Sequence, residues 1–303
     1  MKKDILTLME FSREELEELF KRALELKKSH EKGVAGRPLV GKTLGLIFEK
    51  PSTRTRISFE VAMVHLGGTP IFISTGDTQI SRDEPVRDTA RVLSRYLDCL
   101  AIRTYSQELL KEFAAFSTIP VINALSDQYH PTQILSDLLT VIEYWGGYSE
   151  LKIAWVGDGN NVCHSWINAA AVLGLNLVIA CPETYSPDKD ILERAQGEGQ
   201  GNIVLTRDPA EAVRDAKVIY TDVWASMGQE KELKRKKTLF KPFRVNSALL
   251  EKADKGVIVM HCLPAHRGEE ISERVLEGSS SVVWEQSENK LHMIKAVLEM
   301  LMG

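Results

Sequence analysis

Short apolar runs alternate with amphipathic ones along this chain, and the pattern runs through twice. Strand-like segments read at about 43–49, 70–74, 99–104 and 119–123, with helical patterns at about 53–66, 84–96 and 106–116 between them. Before them, Ser12 followed by Glu15 is a capping box, with Phe11 and Leu16 as its hydrophobic staple. Leu16, Leu19, Phe20 and Ala23 then recur at helical spacing. A long helix follows Pro131, with Ile134, Leu135, Leu138, Leu139, Val141 and Ile142 as its apolar positions, and stops at Gly146-Gly147. After the two glycines the alternation restarts, with strands near 152–157, 176–181, 202–205, 217–222, 257–261 and 281–285 and a last helix at about 288–302. Parallel strands need crossover helices, and those helices cover both sheet faces. The expected class is therefore α/β: two doubly wound parallel-sheet domains with an active-site cleft between them. The first domain takes residues 1–145 and the second 146–287, with the C-terminal helix 288–303 packing back on the first.

At 303 residues the chain is long enough for two such domains, and 44% hydrophobic with 26% charged residues is the balance of a globular protein. A net charge of −4 speaks against a nucleic-acid surface, so any anion selectivity is local. No apolar run approaches the roughly 18 residues that cross a bilayer, so no membrane partner is expected. Met1-Lys2-Lys3-Asp4 leads directly into an amphipathic helix without signal or transit character, which predicts a cytoplasmic protein. Cys99, Cys163, Cys181 and Cys262 are scattered and form no Cys-x-x-Cys pair. Reduced thiols fit that spacing better than a disulfide framework or a zinc site. His30, His65 and His164 lack partners at ligand spacing and read as structural, and neither a metal nor an organic cofactor is expected.

Ligands of open α/β sheets collect at the carboxyl ends of strands. Polar clusters fall at those ends. Ser52-Thr53-Arg54-Thr55-Arg56 lies where a helix begins, so free N–H groups, two guanidinium forks and three hydroxyls converge on a place suited to phosphate. The alternative is a capped helix with a basic first turn. Arg103 ends the third strand, and His130-Pro131-Thr132-Gln133 opens the long helix after the fourth. In the second half, Gly157-Asp158-Gly159-Asn160-Asn161 follows one strand, Asp222 another, and His261-Cys262-Leu263-Pro264 a third. Taken singly, each could be a surface residue, a cap or a tight turn; their shared placement favours function.

Ser-Thr-Arg-Thr-Arg, an arginine at a strand end and His-Pro-Thr-Gln together resemble the carbamoyl phosphate half of the transcarbamoylases. Asp222-Val223-Trp224-Ala225-Ser226-Met227-Gly228 and His-Cys-Leu-Pro resemble the ornithine branch of that family, where the aspartate branch carries His-Pro-Leu-Pro. The resemblance runs over essentially the whole chain. It implies transfer of a carbamoyl group from carbamoyl phosphate to the δ-amine of L-ornithine. It assigns the phosphate to Ser52, Thr53, Arg54 and Thr55, and the carbonyl oxygen to Arg103, His130 and Thr55. Gln133, with Pro131 and Thr132 beside it, and Cys262 and Leu263 would hold the carbamoyl NH₂. Asn161, Asp222, Ser226 and Met227 would hold ornithine, and Asp222 and Cys262 are titratable groups near the attacking amine.

The resemblance also implies a homotrimer, or a multiple of trimers, in which Gln79 reaches carbamoyl phosphate in the neighbouring subunit; from composition alone, 74–86 is a solvated loop. Two departures stand out. Ser81-Arg82-Asp83-Glu84-Pro85 replaces the family's Gly-Arg-Gly-Glu-Pro, and Lys290 stands where arginine is common. Lysine keeps the charge and loses the fork, so Lys290 is a carbamoyl phosphate neighbour of the point-charge kind, or else a solvated helix residue. Other functions fit less well. A dinucleotide-binding dehydrogenase would want a third glycine where Val162 stands. A non-catalytic homologue would have lost Arg54, Arg103, His130 or Asp222. Putrescine or aspartate as the acceptor amine remains the alternative within the enzyme class.

Overall fold

The computed structural model describes residues 2–34, 36–74, 84–224 and 233–303. They form two compact units, residues 1–139 with 288–303 and residues 140–287.

In the first unit the order is α1 (Arg13–Glu31), β1 (Thr43–Phe48), α2 (Arg54–His65), β2 (Thr69–Ser74), α3 (Val86–Leu93), β3 (Cys99–Arg103), α4 (Gln107–Phe116), β4 (Val121–Leu125) and the start of α5 (Pro131–Trp145). The second unit carries β5 (Lys152–Val156), α6 (Asn161–Leu173), β6 (Asn176–Ala180), α7 (Lys189–Glu198), β7 (Asn202–Thr206), α8 (Pro209–Val213), β8 (Val218–Thr221), α9 (Leu233–Phe240), α10 (Ser247–Leu250), β9 (Ile258–His261) and α11 (Glu273–Leu276). The final helix, α12 (Val283–Met302), returns the chain to the first unit.

Both sheets are wholly parallel, with strand orders β2-β1-β3-β4 and β7-β6-β5-β8-β9. Each order reverses once, between β1 and β3 in the first sheet and between β5 and β8 in the second. At such a reversal the connections leave in opposite directions and open a crevice beyond the strand ends.

The central strands are buried because helices cover both faces; β3 is buried at every position and β1 at all but its first. In the second unit Tyr220 of β8 stacks on Trp155 of β5 with centroids 5.3 Å apart and meets Trp166 of α6 edge-on at 5.6 Å. Aromatic pairs of this kind add about 0.5–1.5 kcal/mol to simple burial. The expected capping box of α1 forms in both directions: the Ser12 hydroxyl accepts from Glu15 N at 3.2 Å, and the Glu15 carboxylate accepts from Ser12 N at 2.8 Å. Phe11 and Leu16 are buried beneath it. α6 stops at Gly174, whose φ of 71° is a conformation that a side chain would oppose.

One expected strand is absent. Residues 281–285 read as β because Val282 and Val283 are adjacent and apolar, but Ser281 makes only an isolated bridge to Val259. Gln286 N then bonds Val282 O at 2.8 Å, and α12 starts at Val283. Among the described residues, no helix is long and apolar enough to cross a membrane.

Candidate active site

The first polar cluster lies beyond the carboxyl ends of β1 and β3, on either side of the strand-order reversal. Glu49 ties the two exits together: its N–H donates to Arg103 O at 2.9 Å, and its carboxylate accepts from the Thr104 hydroxyl and from Tyr105 N. α2 begins immediately beyond. Its N-cap, Thr53, has a helical backbone and makes no side-chain capping bond, and no acid occupies the first turn. The helix therefore starts without a side-chain cap from Thr53, the arrangement an anion would complete.

Arg54 is exposed at this start, whereas the Thr55 hydroxyl is buried. Arg56 is used differently from the expectation that both forks face phosphate. Its Nε bonds Glu60 one turn along at 2.8 Å, and its guanidinium lies 3.6 Å from the centroid of Phe72. A guanidinium stacked on a ring and paired with a carboxylate already has its counter-charge. Arg103 ends β3 at a register shift, where Ile102 pairs with Asn123 but Arg103 pairs with Leu125. Such a bulge turns the strand at its end and re-aims the terminal side chain.

α5 and α12 complete this half. His130 is 4% exposed just before Pro131, the first residue of α5. Burial, then the nearby charges of Lys290 and Arg103, hold its imidazole well below the usual histidine range, so it is neutral at pH 7. Lys290 donates to the Thr55 hydroxyl at 3.0 Å and to Gln133 Oε1 at 2.7 Å. Gln133 in turn donates to Asp137 Oδ1 at 2.8 Å, an i,i+4 pair along α5. Lys290 is therefore inside the cluster and not a solvated helix residue. Asp137 went unnoticed in the sequence; its signal was its place one turn beyond Gln133. Pro131 and Thr132 are buried beside them, and the Thr132 hydroxyl has no hydrogen-bond partner among the described residues. Ser52, half-buried, and Thr53, exposed, precede α2.

The second cluster occupies the corresponding place in the second unit, beyond β5 and β8. Asp222, 6% exposed, directly follows β8. Its Oδ2 accepts from Asn160 Nδ2 at 2.7 Å, and its Oδ1 accepts from Val223 N at 2.8 Å and from the Cys262 thiol at 3.0 Å. Asn160 is also the N-cap of α6, accepting from Val162 N and Cys163 N at 3.0 and 3.1 Å. That dual role was hidden in the sequence, where Asn161 drew attention instead. Asn161 is half-buried at the first position of the helix.

His261 shapes the turn that carries Cys262 and Leu263. Its Nδ1 accepts from Leu263 N at 2.8 Å, which leaves Nε2 to carry the proton toward Glu270 Oε1 at 3.1 Å. Its backbone N–H donates to Gln286 Oε1 at 3.0 Å. Leu263 is held at φ 54°, a strained value for a branched side chain that these bonds enforce. Asp158, in the turn after β5, pairs with the buried Lys236 of α9 at 2.7 Å. Gln79, Ser226 and Met227 lie outside the described residues.

Asp222, His261 and Cys262 bring one donor atom each within 4.8 Å, the spacing of a metal site. Both ring nitrogens of His261 are already engaged, so its donors serve the turn rather than an ion. His164 is structural, its Nε2 accepting from Asp188 N at 2.9 Å.

Two parallel α/β units, each with a polar cluster beyond the strand ends at its order reversal, are the architecture of a protein that holds small polar ligands at both switch points. Two family descriptions match: the aspartate/ornithine carbamoyltransferase carbamoyl-P binding domain over residues 3–143, and the Asp/Orn binding domain of the same enzymes over 149–301. The chain belongs to the aspartate/ornithine carbamoyltransferase family. It is 56% identical over 301 residues to an ornithine carbamoyltransferase of Syntrophus aciditrophicus, covering 99% of this chain and 100% of that one. Its identity to the Geobacter sulfurreducens ornithine carbamoyltransferase is 53% over 302 residues, covering 100% of both. The solved ornithine carbamoyltransferase of Pyrococcus furiosus superposes with a TM-score of 0.96 at 47% identity, over 99% of this chain and 97% of that one.

Proposed function

We propose that this protein transfers the carbamoyl group of carbamoyl phosphate to the δ-amine of L-ornithine, giving L-citrulline and phosphate. The observation that carries the reading is the network Thr55–Lys290–Gln133–Asp137 beside the neutral His130 and Arg103, at the reversal point of the first sheet. In this reading Ser52, Thr53, Arg54, Thr55 and the first amides of α2 bind the phosphate. Arg103, His130 and the Thr55 hydroxyl donate to the carbonyl oxygen. Negative charge grows on that oxygen as the amine adds, so preorganised donors there lower the barrier. A neutral imidazole keeps one N–H and can donate it to that oxygen. Gln133 accepts from the carbamoyl NH₂, with the Cys262 and Leu263 backbone carbonyls as further acceptors.

In the same reading Asp222 holds the α-ammonium group of ornithine, and Asn161, Ser226 and the Met227 backbone hold its remaining polar atoms. An alkyl ammonium has a pKa of about 10.4 and must lose a proton before it attacks. The departing phosphate and the Asp222–Cys262 pair are the two acceptors this chemistry provides. Positioning two substrates and stabilising the oxyanion supply the rate gain.

The catalytic assembly in this reading is a homotrimer, or a multiple of it, with Gln79 entering the neighbouring subunit's site. An exposed apolar surface on the first unit supports it: Ile57 and Val64 of α2 are 49% and 57% exposed, and Ile71 and Phe72 of the edge strand β2 are 44% and 38% exposed. Four free thiols accord with a reducing, cytoplasmic setting.

The test is a product assay with ornithine, putrescine and aspartate as competing acceptors. Citrulline formation with ornithine as the preferred acceptor is the expected result; a higher kcat/KM for putrescine or aspartate overturns it.

A further inference from the structure

Apart from the clusters at the strand ends, the first unit brings together three histidines that are far apart in the chain. His30, in the last turn of α1, stacks on His65, in the last turn of α2, with centroids 4.9 Å apart and 28° between planes. His292 of α12 lies 5.6 Å from His30. Beside them is a cavity of about 110 Å³ whose polar lining is Arg22, Ser29, His30, His65 and Lys295. Every titratable group in that lining is basic.

Two of those groups lack the partners their burial demands. Lys295 is 3% exposed, and no described residue gives its ammonium a hydrogen bond or an ion pair. The Nδ1 of His65 is buried and likewise has no described hydrogen-bond partner. The nearby carboxylate of Glu299 is taken by Arg22, whose Nε and Nη2 reach it at 3.0 and 2.9 Å, and Glu25 also binds Arg22 at 2.9 Å. Burial accordingly pulls the Lys295 and His65 pKa values below their usual ranges. A buried cation normally has a counter-charge, and here the missing one faces a cavity.

The histidines do not form a metal triad. Imidazole lone pairs lie in the ring plane, so two nearly parallel stacked rings cannot both aim at one ion. The carbonyl ends of α1 and α2 oppose an anion only through partial charges, whereas the ammonium of Lys295 carries a full charge and attracts it directly. The volume admits one small ion and is well below the roughly 300 Å³ at which pockets for larger ligands begin.

We propose that this cavity is a second anion site, binding one tetrahedral oxyanion of the phosphate or sulfate class. Lys295 supplies the counter-charge, and the Ser29 hydroxyl and the His30–His65 pair supply donors. His30 is exposed and provides the entry side.

Equilibrium dialysis of the full-length protein at pH 7 with labelled inorganic phosphate tests it. Arg54→Ala is the background, because that variant weakens phosphate binding at the α2 start. One saturable site per chain is expected there, displaced by sulfate but not by acetate. Adding Lys295→Met weakens it roughly tenfold or more, the loss of one charge-assisted contact, and Lys295→Arg restores it. If the methionine variant does not fold by circular dichroism, His30→Leu at an exposed position takes its place, with weakened binding again expected. No saturable binding in the Arg54→Ala background overturns the proposal. So does binding indifferent to both Lys295→Met and His30→Leu, or equal displacement by acetate.

Discussion

Lys290 reaches the Thr55 hydroxyl and the Gln133 carbonyl oxygen from α12 with a single ammonium, where a guanidinium would present a fork. Lys290→Met removes that charge and leaves Gln133 without its donor, so the KM for carbamoyl phosphate rises about tenfold or more by steady-state kinetics, and Lys290→Arg retains most of the function. Arg103→Ala removes a donor from the developing oxyanion and lowers kcat/KM for carbamoyl phosphate by about 10²–10³. Arg54→Ala also weakens carbamoyl phosphate use sharply; near-normal kinetics in either arginine variant would refute the phosphate half-site. Asp222→Asn raises the ornithine KM and leaves that for carbamoyl phosphate within about twofold, since in the proposed reading its carboxylate touches ornithine and not carbamoyl phosphate. The residue types of both clusters were legible because charge, hydroxyl and histidine gather at strand ends. Their hydrogen-bond partners were not. Arg56 looked like Arg54 until Glu60 and Phe72 claimed it, and Asn160 looked like part of a tight turn until its amide met Asp222.

At the scale of elements, α1, α2 and α12 meet at histidines, and burial of His65 and His292 there pulls both below the usual histidine range, which makes the first unit sensitive to acid. Burial, then Lys295, Lys27, His30 and His65, push His292 down to about 3, while Glu288 lies 3.8 Å from its Nε2. In the unfolded chain a histidine titrates near 6.5. Below that pH the unfolded state takes up a proton that the folded state refuses, so stability is fully present above about 6.5 and falls as the pH drops toward 3. One such group costs at most about 1.4 kcal/mol per pH unit. Urea unfolding at pH 7.5, 6.0 and 5.0 should show this slope, and His292→Leu should flatten it by roughly that amount. On α6, Asn160→Ala loses about 1 kcal/mol of capping and also frees Asp222, so it weakens ornithine binding more than a cap alone would. Helix starts and stops were readable from Ser12, Pro131 and Gly146, because capping is local chemistry. The misread strand at 281–285 was not readable, because Val282 and Val283 suit either a strand or a buried helix start.

For the whole molecule, the edge strand β2 is the informative element. An exposed strand carrying Ile71 and Phe72 beside the exposed Ile57 and Val64 of α2 is a poor solvent surface and a natural site for a second copy. Sedimentation should report a trimer or a multiple of one. Phe72→Asp should shift it toward smaller species and reduce activity in parallel, because the Gln79 contact crosses subunits in this reading. A fully active monomer would refute the shared site.

The sequence by itself determined the class, the parallel α/β alternation and the residue types at each strand end, since period, caps and residue type are properties of neighbours in the chain. Strand order was left to the tertiary structure, and with it the two reversal points that gather Arg54 with Arg103 and Asn160 with Asp222. Folding also decided which polar groups find partners. Lys290 met Thr55 across 235 positions, while Lys295, five residues further on, met two histidines and an unfilled need for charge. Pairing over such separations depends on how helices pack and not on local sequence, so only the folded chain distinguishes a satisfied cation from one that requires an anion.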